Sequence, residues 1–378
     1  MTYSNTRWLA SIALLMILAG VVTGSGITAL NRTEYANGWD GYYYLIQVQS
    51  LNNTGAMHSP EYSPVYLPLI AFYAITGDYV TSYKLSAVLI KTLFVLSVFT
   101  LGFSLLKSKS DVDRRTAFFT ALIAGALSAV SPSLNYFFTQ FPKNLLGFAF
   151  LFFFMASVYS TSRAWKEIQS PSSNQHKSKR SLFARIFGIL LLGAATYFTH
   201  RFTAILSVFF LVLYFAPFLK PPLQYLWTAK KHEPERTNSS WRQKHWRKSL
   251  LLVPLVVLVA LSHKLSMALS FYDLEVITGD FSLSPIFVPA SFIQTFGTFR
   301  LSAAWIAEIF LASTLLLVTV ILLLCKKRFS FLRIGIDYHI LIIIGLTGLF
   351  PFFRFSLTGL SYRLFYGTLL IFPLLCIP

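Results

Sequence analysis

Asp40 stands in the run Asn37-Gly-Trp-Asp40-Gly-Tyr-Tyr-Tyr-Leu45, a carboxylate framed by glycine and aromatic residues just beyond a long apolar stretch. An acid held at such a boundary has two uses. It can act as general base on an acceptor hydroxyl, or it can hold a divalent cation against a phosphate. The run Ala56-Met-His58-Ser-Pro-Glu61-Tyr-Ser-Pro-Val-Tyr66-Leu-Pro68 follows. It supplies Glu61, the second carboxylate by position, and His58, a further candidate for holding an anionic substrate group. Glu61 reads equally well as a solvated loop charge. Trp39 and Tyr42 to Tyr44, taken alone, are ordinary interfacial anchors.

A second set of residues is cationic: Lys143 after Phe-Pro, the adjacent His200 and Arg201, Arg354 and Arg363. Planar guanidinium forks and lysine ammoniums are what binding a phosphate or pyrophosphate requires. A third set lies inside apolar runs, where ionisable groups are costly and face a cavity or one another. Lys84 and Lys91 share one helical face, with Lys91 roughly 10 Å deeper at 1.5 Å per residue. Lys84 is placed to snorkel to the interface. Lys264, beside His263, sits about 9 Å inside a later run and Glu308 about 12 Å inside the next. These three deep groups, Lys91, Lys264 and Glu308, define either a polar pathway or a buried Lys-Glu pair that only holds helices together.

The elements that must position these groups are membrane helices. Of 378 residues, 55% are hydrophobic and 12% charged, with a mean hydropathy of +0.61, far from a soluble domain. Crossing about 30 Å of hydrocarbon takes roughly 20 apolar residues in a helix. The sequence predicts ten spans: 8 to 30, 81 to 106, 115 to 137, 143 to 161, 182 to 199, 202 to 219, 249 to 270, 300 to 325, 338 to 354 and 364 to 378. The first is too long for a signal-peptide core and lacks a clear cleavage site, so it reads as a retained anchor. The net charge of +18 would point to nucleic acid in a soluble protein, but its placement here points to topology and no nucleic-acid partner. Most Lys and Arg collect in alternate loops, and the opposite loops hold Arg32, Lys143, Arg201, Arg300, Arg354 and Arg363. By the positive-inside rule both termini face the cytoplasm.

The expected architecture is one all-α integral membrane domain over residues 1–378. Its outer loops are 31–80 and 271–299, and its basic cytoplasmic loops are 162–181 and 220–248. The latter read as solvated linkers near anionic lipid. Tyr62 to Thr76 is apolar but short and carries Pro64 and Pro68, so it is expected in or on the outer leaflet and not across it. Cys325 and Cys376 lie in or beside apolar runs and form no disulfide framework. The last apolar stretch runs to Pro378 without a polar tail, as a truncated or N-terminal portion of a longer chain would.

The run Asp40-Gly-Tyr-Tyr-Tyr-Leu45, with a short helix expected after it and two Tyr-x-Pro steps, resembles the first outer loop of the GT-C superfamily of membrane glycosyltransferases. The Asp-x-Tyr-Tyr-Tyr-Leu pattern is similar to that of oligosaccharyltransferase catalytic subunits. The resemblance implies a GT-C-like bundle of about ten transmembrane helices with a large first extracytoplasmic loop. It implies transfer of a sugar from a polyprenyl-phosphate or polyprenyl-diphosphate carrier to an acceptor glycan, lipid or protein, with Asp40 as the catalytic or metal-binding carboxylate. Asp40 with Glu61, or with an acid from 273 to 280, would form an oxygen site for Mg or Mn. Gly41 stands where oligosaccharyltransferases carry proline, and no Trp-Trp-Asp peptide motif is present, which argues against protein N-glycosylation. The location would be the plasma (inner) membrane if the source is prokaryotic. Two other readings compete. A polysaccharide polymerase or ligase would use the later outer loops, and a transporter or lipid flippase would use Lys91, Lys264 and Glu308.

Overall fold

The computed structural model describes residues 3–36, 40–59, 61–108, 112–168, 175–200 and 203–214. These residues are helical or in short connections, and among them there is no strand. In chain order the helices are α1 (Tyr3–Leu30), α2 (Gly41–Thr54), α3 (Tyr66–Thr76), α4 (Tyr79–Ser108), α5 (Arg114–Val130), α6 (Pro132–Gln140), α7 (Pro142–Ile168) and α8 (Gln175–Thr199). α9 (Thr203–Tyr214) follows. The expected spans 249 to 270, 300 to 325, 338 to 354 and 364 to 378, and the loops 220–248 and 271–299, lie outside the described residues.

Among the described residues, four helices are long and apolar enough to cross a membrane: Leu9–Leu30 within α1, α4, Pro142–Trp165 within α7, and Leu182–Thr199 within α8. The protein is a helical membrane protein. Each matches an expected span, because a sustained apolar run leaves the backbone no other way to satisfy its polar groups in lipid. α4 rises about 45 Å at 1.5 Å per residue, more than a bilayer core requires.

α4 and α7 form the centre of the described assembly. In their apolar stretches 67% and 72% of residues are buried, against 17% for α1 and 22% for α8. α4 packs on α7, α5, α3 and α1, and α7 packs also on α8. The seam is aromatic and aliphatic: Phe94 of α4 meets Phe152 of α7 at 5.5 Å between ring centres, and both are fully buried. Without a hydrophobic drive between helices in lipid, this dispersion contact is what holds α4 to α7.

One expected span is corrected. The stretch 115 to 137 was expected to form one helix, but the structure breaks it at Ser131-Pro132, ending α5 at Val130 and starting α6. Proline has no amide hydrogen and its ring clashes with a preceding helical turn, so a helix stops before it. Ser131 then caps the new helix, its Oγ accepting from the Leu134 amide at 3.1 Å. At its other end α5 is capped by Asp113, whose carboxylate accepts from the Arg115 and Thr116 amides at 2.7 and 3.0 Å.

The first outer loop, expected over 31–80, is mostly helix. α2 and α3 occupy much of it, and each ends on a left-handed glycine, Gly55 at φ 73° and Gly77 at φ 67°, a conformation other residues adopt only with strain. The Gly77 turn delivers the chain directly to Asp78, whose Oδ2 accepts from the Thr81 amide at 2.7 Å and starts α4. α3 is 11 residues long, about 16 Å, too short to cross. It lies along the start of α4, with Leu67 and Ile75 facing outward.

Candidate functional site

Asp40 is the residue before α2, so the Asp-Gly-Tyr-Tyr-Tyr-Leu run is the first turn of that helix and does not precede a separate one. An aspartate in this position ordinarily turns its carboxylate back onto the first amides. Asp40 makes no such bond; its backbone is helical at φ −89°, ψ −5°, and only its carbonyl enters the helix, accepting from Tyr44 at 3.1 Å. The carboxylate therefore sits at the positive end of α2, where the helix dipole favours its ionised form.

The three tyrosines after it divide their tasks. Tyr42 is exposed. Tyr44 is buried between Tyr83 of α4, stacked at 6.2 Å, and Tyr66 of α3 at 6.0 Å. Tyr43 turns its hydroxyl to Glu61, donating to Oε2 at 2.9 Å. Tyr66 donates to the same oxygen at 2.6 Å. Burial, the neighbouring Tyr43 and Tyr44, and the charge of Asp40 together hold the Tyr66 hydroxyl well above the usual phenol range, so it stays a donor. Asp40 stands three residues before Tyr43 at the start of the same helix, and its charge also acts on the Tyr66 hydroxyl.

Glu61 is not a solvated loop charge. Its other oxygen, Oε1, takes an ion pair from the Lys143 ammonium, on the first turn of α7. Side-chain exposure is 27% for Lys143 and 17% for Glu61. The structure thus brings together two predicted residues from the carboxylate and cation sets, and it brings them to each other. Tyr43 and Tyr66 complete the cluster and were missed. The tyrosine run had read as an interfacial belt, and a hydroxyl aimed at a residue 18 positions on leaves no periodic signal.

His200 approaches α7 one turn beyond Lys143. It follows the last residue of α8, and its Cβ abuts α7 at Gly147: a Cβ built there would lie 2.8 Å from the His200 Cβ and 2.7 Å from Thr203 Oγ1. Only glycine allows this approach. Gly147 is one turn beyond Lys143, about 6 Å along the axis, so His200 is set beside the α7 turn that carries Lys143. His200 Nδ1 is buried. His58 is exposed on the α2 to α3 connection, where the Ser59 amide is held by Gln47 Oε1 at 3.0 Å. Arg201, Arg354 and Arg363 lie outside the described residues.

The deeper lysines do separate work. Lys84 donates to the Thr33 carbonyl and ties the α1 to α2 connection to α4. Lys91 is buried, at 1% exposure. It donates to Asn135 Oδ1 of α6 at 2.8 Å and to Ser25 Oγ of α1 at 3.3 Å, with its ammonium 4.8 Å from the centre of the Phe138 ring. Among the described residues it meets no carboxylate. Its expected companions, Lys264 and Glu308, lie outside the described residues.

A metal fits this donor set poorly. Among the described residues no three His, Cys, Asp or Glu side chains gather where an ion could be held. Both oxygens of Glu61 are engaged by the lysine and the two tyrosines. The acids at 273, 275 and 280 lie outside the described residues. No family model matches the chain, and no curated protein and no solved structure matches it.

Proposed function

We propose that this membrane protein is a GT-C-like glycosyltransferase that moves a sugar from a polyprenyl-phosphate or polyprenyl-diphosphate carrier to an acceptor at the extracytoplasmic face. The observation that carries the reading is the Glu61, Lys143, Tyr43 and Tyr66 cluster, with Asp40, unused by its own helix cap, three residues before Tyr43 at the start of α2. A carboxylate at the start of α2 and a cation at the start of α7, linked through Glu61 and Tyr43, are the two groups that this transfer needs.

In the proposed reaction the acceptor oxygen attacks the anomeric carbon in one displacement that inverts it. Asp40 takes the acceptor proton. The bond from the anomeric carbon to the phosphate oxygen breaks, and its electron pair leaves with the phosphate. Lys143, with His200 beside the same turn of α7, compensates the charge that develops there. Arg201, Arg354 and Arg363 are proposed to serve the same phosphate. The full bundle is proposed to hold about ten transmembrane helices with both termini cytoplasmic. No step is assigned to a metal.

The transporter or flippase reading would rest on Lys91, Lys264 and Glu308. Among the described residues Lys91 is held by neutral groups from α1 and α6, which favours a structural task over a pathway. A polymerase or ligase would depend on the later outer loops and make long products. Transfer of radiolabelled sugar from a panel of polyprenyl-phosphate donors, in membranes carrying the wild type or Asp40→Asn, separates these readings. Transfer by the wild type alone supports the glycosyltransferase. Intact lipid moved between leaflets with no release of free polyprenyl phosphate replaces it with the flippase.

A further inference from the structure

Three donors from three helices converge on one side-chain anion. Lys143 of α7 reaches Glu61 Oε1, while Tyr43 of α2 and Tyr66 of α3 reach Oε2 at 2.9 and 2.6 Å. The cluster is only partly covered, with 27% of the Lys143 side chain and 17% of the Glu61 side chain exposed. Donors arranged in this way recognise a negatively charged oxygen group in general, because charge-assisted bonds depend on the acceptor's charge and reach more than on its parent molecule. A phosphate offers more oxygens and at least as much charge as a carboxylate.

We propose that Glu61 is the built-in occupant of an anion site. Its side chain fills the Lys143, Tyr43 and Tyr66 donors when no ligand is bound, and yields them to the phosphate of a lipid carrier. This rests on the reading of the protein as an enzyme that uses polyprenyl phosphates. The exchange needs a rotation of the Glu61 side chain and no rearrangement of helices. It keeps the ammonium neutralised in both states, which matters because a partly buried charge left alone is costly. It also gives the site a threshold: a neutral headgroup gains nothing by displacing a carboxylate, whereas a phosphate does. Tyr43 lies on the first turn of α2 with Asp40, so a phosphate seated on these donors is held beside that acid.

The test is direct binding to the purified full chain in detergent, with inorganic phosphate and a short-chain polyprenyl monophosphate as probes. Glu61→Gln keeps the shape and an acceptor for the tyrosines but removes the competing charge. It should tighten binding about tenfold or more, the equivalent of about 1.4 kcal/mol. Lys143→Met should abolish binding in both the wild-type and Glu61→Gln backgrounds. Glu61→Asp, which retains the charge but shortens its reach, should fall between the wild type and Glu61→Gln, and serves if Glu61→Gln does not fold. Tightening with the polyprenyl probe alone assigns the site to a lipid headgroup, and equal tightening with inorganic phosphate assigns it to phosphate as such. Unchanged or weaker binding in both Glu61 variants overturns the proposal, as does tight binding that survives Lys143→Met. Sugar transfer is read separately with Asp40→Asn. If the wild type transfers no sugar while Glu61→Gln tightens phosphate binding, the transferase reading fails and the anion site stands; normal transfer by Asp40→Asn removes only the role of Asp40.

Discussion

The ammonium of Lys91 lies 2.8 Å from Asn135 Oδ1, a bond between the middle of a membrane span and a short helix created by a proline break. The ammonium has only neutral partners among the described residues. Two consequences differ in size. Asn135→Leu removes its nearest oxygen and should cost about 2 kcal/mol, the range for a bond to a charged group. Lys91→Met removes the buried charge itself and should be close to neutral, as replacing buried ions by apolar side chains often is. Thermal unfolding in detergent of the two single variants and the double variant forms a cycle that checks this. Equal losses in both single variants would show that the lysine carries stability of its own.

Asp40→Asn is expected to leave insertion intact and to lower thermal stability only slightly, because the carboxylate makes no capping bond to α2 and its interaction with the helix dipole is worth about 0.3–1 kcal/mol. Transfer activity should fall by about 100-fold or more, the usual contribution of a positioned general base. Measuring transfer and melting temperature on the same membranes separates chemistry from folding. A variant that loses both would mean that Asp40 is structural.

Gly147→Ala tests the approach of the α8 end to α7. Alanine favours a helix interior by about 1 kcal/mol over glycine, yet its Cβ would press on Thr203 Oγ1 and on the His200 Cβ. Thr203 is itself tied to the His200 carbonyl at 2.9 Å, and His200 Cβ is no flexible tip. Overpacking of about 1–3 kcal/mol should therefore win. The expected result is a lower melting temperature together with weaker phosphate binding, as His200 is displaced from the turn that carries Lys143.

Two kinds of pH dependence follow from opposite shifts. Burial raises the Tyr66 hydroxyl. Its stabilising effect is complete below the unfolded value of about 10 and is lost as pH climbs beyond it, because only the unfolded chain then sheds the proton. Tyr66→Phe should flatten the alkaline side of the stability curve. Asp113 moves the other way, lowered first by its bond to the Thr116 side chain and then by the Thr116 and Arg115 amides. Its contribution is present above the usual carboxylate range and is lost as pH falls through the lowered value. Asp113→Ala should speed hydrogen exchange at Arg115 and Thr116 near neutral pH, and the difference from wild type should vanish in acid.

The spans were legible because their signal is local. The helix α1 and the helices α4, α7 and α8 follow from unbroken apolar runs, and the short helix α3 from its length and prolines. The third span misled because Pro132 was read through. Ser131 before it had the side chain to start a new helix, and that pair was the available signal. Asp40, Glu61 and Lys143 were found by residue type alone. That Glu61 and Lys143 answer each other was not legible, since they are 82 positions apart and nothing in one chain's periodicity relates two helix starts that meet only after packing. Tyr66 and Asn135 were hidden for the same reason. Each looked like one more residue in an apolar stretch, and only its partner gives it a task.

The separation of Glu61 from Lys143 also bears on synthesis. A ribosome delivers the chain from its N-terminal end at about 5–20 residues per second, so α2, α3 and their tyrosines are synthesised before α7. For those seconds the carboxylate of Glu61 is a vacancy waiting for its cation. One helix, α7, carries both the cation for Glu61 and the Phe152 ring that packs on Phe94. A nascent chain halted before α7 would carry an intact first turn of α2 and no assembled site.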